Sequence, residues 1–168
     1  MFIPLKIGVL TISDTRTPRT DRSGGFLQEQ VHESGHILSH KAIVPDEIVA
    51  IQGCIRPWLA EGTQVILTTG GTGFRPRDVT VQAVMPLLTC PIDGFGELFR
   101  RISYEQIGTS AIQSRCFAGW IGDGLVFCLP GSPGACRDAW DQILRLQLDA
   151  RHKPCNFAEI IATKPSPD

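Results

Sequence analysis

The sequence carries almost no net charge, with 16 Lys and Arg against 17 Asp and Glu. That balance excludes a broad electrostatic grip on DNA or RNA. It leaves room for a small anionic ligand, which needs only local positive potential. Long apolar runs are also missing, and none approaches the roughly 18 residues that span a bilayer. The opening Met1-Phe2-Ile3-Pro4-Leu5-Lys6 lacks the basic leader, apolar stretch and small-residue cleavage site of a secretory signal. A cytoplasmic protein is therefore expected. Cysteines are present at 54, 90, 116, 128, 136 and 155, but no two are separated by two residues. The paired spacing of a zinc site is thus absent, and buried reduced thiols with no structural metal are expected. His32, His36 and His40 recur every four residues, which would align them on one helix face. Gly35 interrupts, and Ile37-Leu38 begins a strand pattern, so no metal site is expected there.

What is present is enough for one compact domain. A chain of 168 residues buries roughly 70% of its unfolded surface and needs no disulfide or metal to fold. Residues 6–12 (KIGVLTI) form a short, almost wholly apolar run, as in a strand covered on both faces. A polar loop over 13–22 follows, then a helix opened by Ser23-Gly24-Gly25 and closed by Gly35. A second strand covers 37–44, and Pro45-Asp46-Glu47 starts a second helix to about Glu61. A third strand, 64–68, ends in the glycine turn Thr69-Gly70-Gly71-Thr72-Gly73. Helices are expected over 78–88 and 96–108, the latter with Leu98, Ile102 and Ile107 inward. Two strands, 116–121 and 125–129, joined by Gly122-Asp123-Gly124, make an antiparallel hairpin. Ser132 caps a last helix with Pro133 at its first position and an apolar stripe of Trp140, Ile143, Leu144 and Leu148. The tail from Arg151 is polar, and Trp120 and Phe157 are either core or interface. Strands alternating with helices predict an α/β fold. The domain is expected to be single and three-layered, its mostly parallel mixed sheet flanked by helices on both faces.

In such folds ligands bind beyond the carboxyl ends of the strands. Loops with unusual chemistry fall there: Ser13-Asp14, Pro45-Asp46, the turn from Thr69 to Asp78, and Pro130-Gly131-Ser132-Pro133. Successive N–H groups of a glycine turn can cradle an anion, and Thr69 and Thr72 could add hydroxyls. A plain tight turn is the equal alternative. No Lys-Ser/Thr follows the last glycine, and GxGxxG is absent, so the turn is neither a Walker A loop nor a dinucleotide fingerprint. Arg75 and Arg77 could engage phosphate oxygens. Asp78 either caps the helix it begins or, with Asp46 converging from a neighbouring strand end, holds a magnesium ion.

The turn 69–73 followed by Arg77-Asp78-Val79-Thr80 resembles the signature of the molybdopterin-binding MoaB/MogA family, which includes the G domain of gephyrin. Ile12-Ser13-Asp14, Ser23-Gly24, Val44-Pro45-Asp46, Gly94-Phe95-Gly96-Glu97 with Arg100, and Pro130-Gly131-Ser132 match at the right places. The segments from Ile107 to Arg115 and from Leu148 to Phe157 resemble MoaB rather than MogA members. The resemblance implies binding of molybdopterin, a pterin dithiolene phosphate. In MogA-type members it implies adenylylation of that phosphate with Mg-ATP, releasing pyrophosphate. Asp46 and Asp78 then take the catalytic and magnesium-holding positions. Ser13, Asp14, Ser23, Gly24, Thr69, Gly70, Gly71, Thr72, Gly73, Arg77, Thr80, Glu97, Pro130, Gly131 and Ser132 take the phosphate- and pterin-binding ones. A homo-oligomer, hexamer or trimer, is also implied. One departure stands out. Where many members have Pro and an acid after the Thr of the RDVT segment, this chain has Val81-Gln82. A non-catalytic molybdopterin-binding or assembly protein is the alternative reading.

Overall fold

The computed structural model describes residues 1–163. Strands β1 (Lys6–Ile12), β2 (Ile37–Val44), β3 (Val65–Thr69), β4 (Cys90–Pro91), β5 (Phe117–Ile121) and β6 (Gly124–Leu129) form one sheet in the order β2-β1-β3-β6-β5-β4. β1 runs parallel to β2 and β3, and β3 to β6, while β4, β5 and β6 pair antiparallel. The apolar runs of β1, β3 and β6 lie in the middle and are buried almost end to end. β2, on the edge, is only half covered.

Alternate strand residues point to opposite faces, so each face acquires its own core. On one side Val9, Leu67 and Phe127 meet Leu27 and Val31 of α1 (Arg22–Glu33) and Phe95 and Phe99 of α4 (Asp93–Ile107). Ala139 of α5 (Pro133–Ala139) joins them, with Trp140 from the π-turn Trp140–Leu144 that leads into α6 (Arg145–Gln147). On the other side Leu10, Ile66 and Val126 meet Ile51, Ile55 and Trp58 of α2 (Ile48–Ala60) and Ala83 and Val84 of α3 (Thr80–Val84). Burying each large side chain contributes about 1.5–3 kcal/mol. The layers therefore hold the sheet, and with it the strand ends, rigid. The three-layer α/β architecture, the hairpin, the Ser132 cap and the buried stripe of Trp140, Ile143, Leu144 and Leu148 all match expectation.

The boundaries differ where local hydrogen bonds intervene. α2 starts at Ile48 rather than Pro45, because the Asp46 N–H donates to Asp14 Oδ1 and Glu47 N–H to Pro45 O. α3 starts at Thr80, not Asp78, because the Asp78 carboxylate closes a turn on the Arg75 N–H instead of capping a helix. A 3-10 turn, Met85–Leu87, finishes that segment. α4 begins at Asp93, so its inward stripe is Phe95, Phe99 and Ile102, while Leu98 and Ile107 are 43% and 55% exposed. The short β4 was not expected. The tail is not merely polar: α7 (Phe157–Thr163) forms, started by Asn156 Oδ1 accepting from Glu159 N–H. Phe157 lies edge-on to Trp120 and Phe127, which places Trp120 and Phe157 with the core. The rest of the expected tail, 164–168, lies outside the described residues. Cys116, Cys128 and Cys136 are buried as expected, but Cys90 and Cys155 are exposed and Cys54 is half-buried. His32 lies on α1, His36 is buried beyond it, and His40 sits on β2, so the three share no helix.

Candidate functional site

Sheet register assembles the site. Ile12 pairs with Val44, Thr11 with Thr69, and Thr69 with Leu129. Ser13, Pro45, Gly70 and Pro130 therefore leave the sheet side by side at one edge, as the parallel crossovers predict. The antiparallel hairpin supplies β6 in the right direction for its loop to join them.

Each loop is then tied to the next. Asp14 N–H donates to Asp46 Oδ2 at 3.1 Å and Asp46 N–H returns to Asp14 Oδ1 at 3.0 Å. This reciprocal clasp brings two carboxylates together. Asp21, which sequence reasoning passed over, caps α1 by accepting from Gly24 N–H (2.9 Å) and from Thr11 Oγ1–H (2.7 Å). A Cβ on Gly24 would fall 2.2 Å from that carboxylate. Ser23 Oγ–H donates to Gly131 O at 2.8 Å, and Thr69 Oγ1–H to Pro130 O at 2.9 Å. Cys136 lies behind Thr69, and burial pushes its thiol up to about 11, so it stays protonated and inert. Ser132 Oγ accepts from Ala135 N–H as the cap of α5.

The glycine turn is shaped from both sides. Gly70 and Gly71 have φ of +105° and +68°, a region that side chains avoid. A Cβ on Gly70 would lie 2.2 Å from Ile12 O. One on Gly71 would lie 2.3 Å from Thr80 Oγ1 and 3.3 Å from Asp46 Oδ1. Thr80 fastens the turn, its hydroxyl donating to Gly70 O (2.8 Å) and its N–H to Gly71 O (3.0 Å). Gly70 N–H donates to Leu129 O, so it is spent on the sheet rather than on an anion. Among the described residues no acceptor takes the N–H groups of Gly71, Thr72 and Gly73. The nest is therefore 71–73, one residue shorter than the sequence suggested. Asp78 lies across it: a Cβ on Gly73 would come within 2.7 Å of Asp78 Oδ2.

These loops enclose a cleft of about 980 Å³. That is the upper end of ordinary small-molecule sites, roughly 300–1,000 Å³. Arg16, Arg19, Arg22, Arg75 and Arg77 line it against Asp21, Asp46 and Asp78. Burial raises the Asp46 carboxyl above the usual range, and the nearby charge of Asp14 adds to this. The Asp14 N–H bond and Arg77 pull the other way, and Asp78 raises it again. A carboxylate pair crowded beside a phosphate-sized nest suits magnesium, which takes one or two carboxylates with phosphate and water. Among the described residues no group of three or more His, Cys, Asp or Glu forms a denser metal site.

Of the residues singled out in the sequence, Ser13, Ser23, Asp46, Thr69, Gly70, Gly71, Thr72, Gly73, Arg77, Asp78, Pro130, Gly131 and Ser132 line this cleft. Asp14, Gly24 and Thr80 do not; they stand behind it and hold its loops. Thr69, too, spends its hydroxyl on Pro130 rather than offering it to a ligand. Glu97 lies elsewhere, in a second cavity of about 710 Å³ with Arg100, Arg115 and Ile112. Sequence reasoning missed the arginines of the first loop, although Arg16-x-x-Arg19-x-x-Arg22 is a visible spacing. It also missed the far wall of Ser103, Ile107, Ser110 and Gln113, although the last three fall in the segment 107–115 that the family resemblance marks. No helix among the described residues is long and apolar enough to cross a membrane.

Residues 8–150 match the family model described as "Probable molybdopterin binding domain". Molybdenum cofactor biosynthesis protein B of Escherichia coli (strain K12) is 46% identical over 157 residues, 93% of this chain and 92% of that one. Its counterpart in Staphylococcus carnosus (strain TM300) is 47% identical over 148 residues, 86% of this chain and 87% of that one. A crystal structure of molybdenum cofactor biosynthesis protein B superposes with a TM-score of 0.84 at 45% identity, covering 87% of this chain and 92% of that one. The tungsten cofactor synthesizing protein MoaB from Pyrococcus furiosus gives 0.76 at 33% identity, covering 83% and 90%. Sequence and architecture agree from the first strand to the last helices, and the chain belongs to the molybdopterin-binding MoaB/MogA family of molybdenum cofactor biosynthesis proteins.

Proposed function

We propose that the chain binds molybdopterin in this cleft and adenylylates its phosphate with Mg-ATP, releasing pyrophosphate. The observation that carries the reading is that Asp46 lies beside Gly71 and Asp78 beside Gly73, flanking the unpaired N–H groups of residues 71–73 in one cleft. In this reading the nest takes phosphate oxygens, while Arg75 and Arg77 spread the remaining negative charge. Asp46 and Asp78 would hold magnesium, which when bound would neutralise the charge that builds up on the phosphates. The Pro130-Gly131-Ser132 loop, itself held in place by Ser23 and Thr69, orients the pterin or the nucleotide. Catalysis is then mainly positioning and electrostatics, as in other transfers at phosphorus.

The Val81-Gln82 departure does not weaken this. Gln82 is exposed on α3, and Val81 faces the second cavity, so a carboxylate at position 82 would not line the cleft. The deciding experiment is incubation with molybdopterin and Mg-ATP, followed for adenylylated product and pyrophosphate. Bound molybdopterin without product would make the chain a binding or assembly protein instead. A homo-oligomer, hexamer or trimer, belongs to the same proposal. Phe74, Met85 and Ile112, exposed at 65%, 49% and 73%, offer apolar surface for a second copy. Light scattering during gel filtration checks it, and a monomeric mass would refute it.

A further inference from the structure

The loop that carries Arg75, Arg77 and Asp78 is fastened from outside the cleft by one side chain. Arg115, on the connection into β5, donates its Nε–H to Gly73 O at 2.9 Å, and its Nη2 donates to the same oxygen. Nη2 also donates to Asp78 O at 3.1 Å. Its own backbone N–H donates to Thr72 O at 3.0 Å. The guanidinium stacks 4.9 Å from the centre of the Phe74 ring. Gly73 and Asp78 are the two ends of the loop, so one rigid fork holds both ends from the side of the second cavity. The loop's own ties are the Arg75 N–H bond to Asp78 Oδ2 and the return bond from Asp78 N–H to Arg75 O, both inside one tight turn. A loop of this length, exposed over most of residues 73–77 and bearing two arginines, has little packing of its own to keep it shaped.

We propose that Arg115 is a positioning residue for the phosphate site. It pins the Gly73 and Asp78 carbonyls, so that the N–H groups of 71–73 and the Asp78 carboxylate point into the cleft. This rests on the reading of the cleft as a phosphate site, but the pinning can be measured without turnover. Lysine cannot substitute fully, since an ammonium group lacks the planar fork that spans two acceptors.

The test compares wild type, Arg115→Lys and Arg115→Met by amide hydrogen exchange and by calorimetric titration with magnesium pyrophosphate. Without the guanidinium, exchange over residues 72–79 should accelerate about tenfold or more, the scale of losing hydrogen bonds from a charged donor. Peptides from β1, β3 and β6 should keep their wild-type rates. Pyrophosphate affinity should fall about tenfold in Arg115→Met, with Arg115→Lys between the two. Guanidinium-bearing small molecules such as methylguanidinium should slow the loop's exchange again in Arg115→Met, which a merely structural loss would not allow. Unchanged exchange over 72–79, equal loosening of the whole sheet, or full pyrophosphate affinity in a loosened loop would each overturn the proposal. A wild type that binds pyrophosphate but forms no adenylylated product would defeat the proposed activity alone, leaving the role of Arg115 to these measurements.

Discussion

Asp46→Asn should make the protein more stable and less active, and the two effects come from one cause. Asp46 sits in a half-buried position with Asp14 clasped to it and Asp78 nearby, so its charged form is disfavoured and its carboxyl is raised. The sign follows from linkage. A carboxyl raised on folding stabilises the fold below its unfolded value, and that contribution is lost as pH rises through the folded value. At neutral pH the ionised group therefore works against the fold. Asparagine removes the charge and keeps the geometry: its Oδ1 can still accept from Asp14 N–H, and its own N–H still reaches Asp14 Oδ1. The side chain is partly open to water, so screening limits the gain to about 0.3–1 kcal/mol. For a domain of this length that is a rise in Tm of about 1–3 °C. Raising the salt should narrow the difference. Magnesium with pyrophosphate should raise the Tm of wild type but much less that of the variant. Adenylylation should fall about a hundredfold or more, the scale of losing one preorganised charge. Differential scanning fluorimetry and product assays at pH 7.5 read all of this. A variant that melts below wild type, or turns over normally, would refute the reasoning.

Asp78→Asn should leave the stability within about 0.5 kcal/mol of wild type, because asparagine can still accept from Arg75 N–H. Its adenylylation should fall about a hundredfold, and the double variant with Asp46→Asn should be less than additive in single-turnover assays if both hold one ion. Gly71→Ala should lose about 1–3 kcal/mol, since φ is +68° and the new Cβ would meet Thr80 Oγ1 at 2.3 Å; urea unfolding measures it, and an unchanged midpoint would discredit the turn geometry. Stability should also fall in mild acid through His36, whose imidazole accepts from Leu5 N–H. Burial holds its pKa below the ordinary 6.5, so the unfolded chain takes the proton first. Urea midpoints at pH 7.5 and 5.5 should therefore differ less in His36→Asn than in wild type; equal slopes would remove His36 from the account.

Residue pattern alone determined the layers of this protein and the loops that matter. The apolar run 6–12, the glycine turn after the third strand and the Ser132-Pro133 helix start are local signals, written by backbone preference and burial. Because parallel strands put their carboxyl ends on one edge, those signals also bring Asp46 close to Gly71. The work each polar atom does was decided only in three dimensions. Nothing local distinguishes Gly70 N–H, which the β6 end consumes, from Gly71 N–H, which is open. Nothing local turns Asp78 from a helix cap into a loop closure, or sends Glu97 to a different cavity. Arg115 reaches Gly73 across 42 positions of sequence, and Ser23 reaches Gly131 across 108. Hydrogen-bond partners so distant in the chain exist only once the sheet register has been set, and register is a property of the packed layers rather than of any segment.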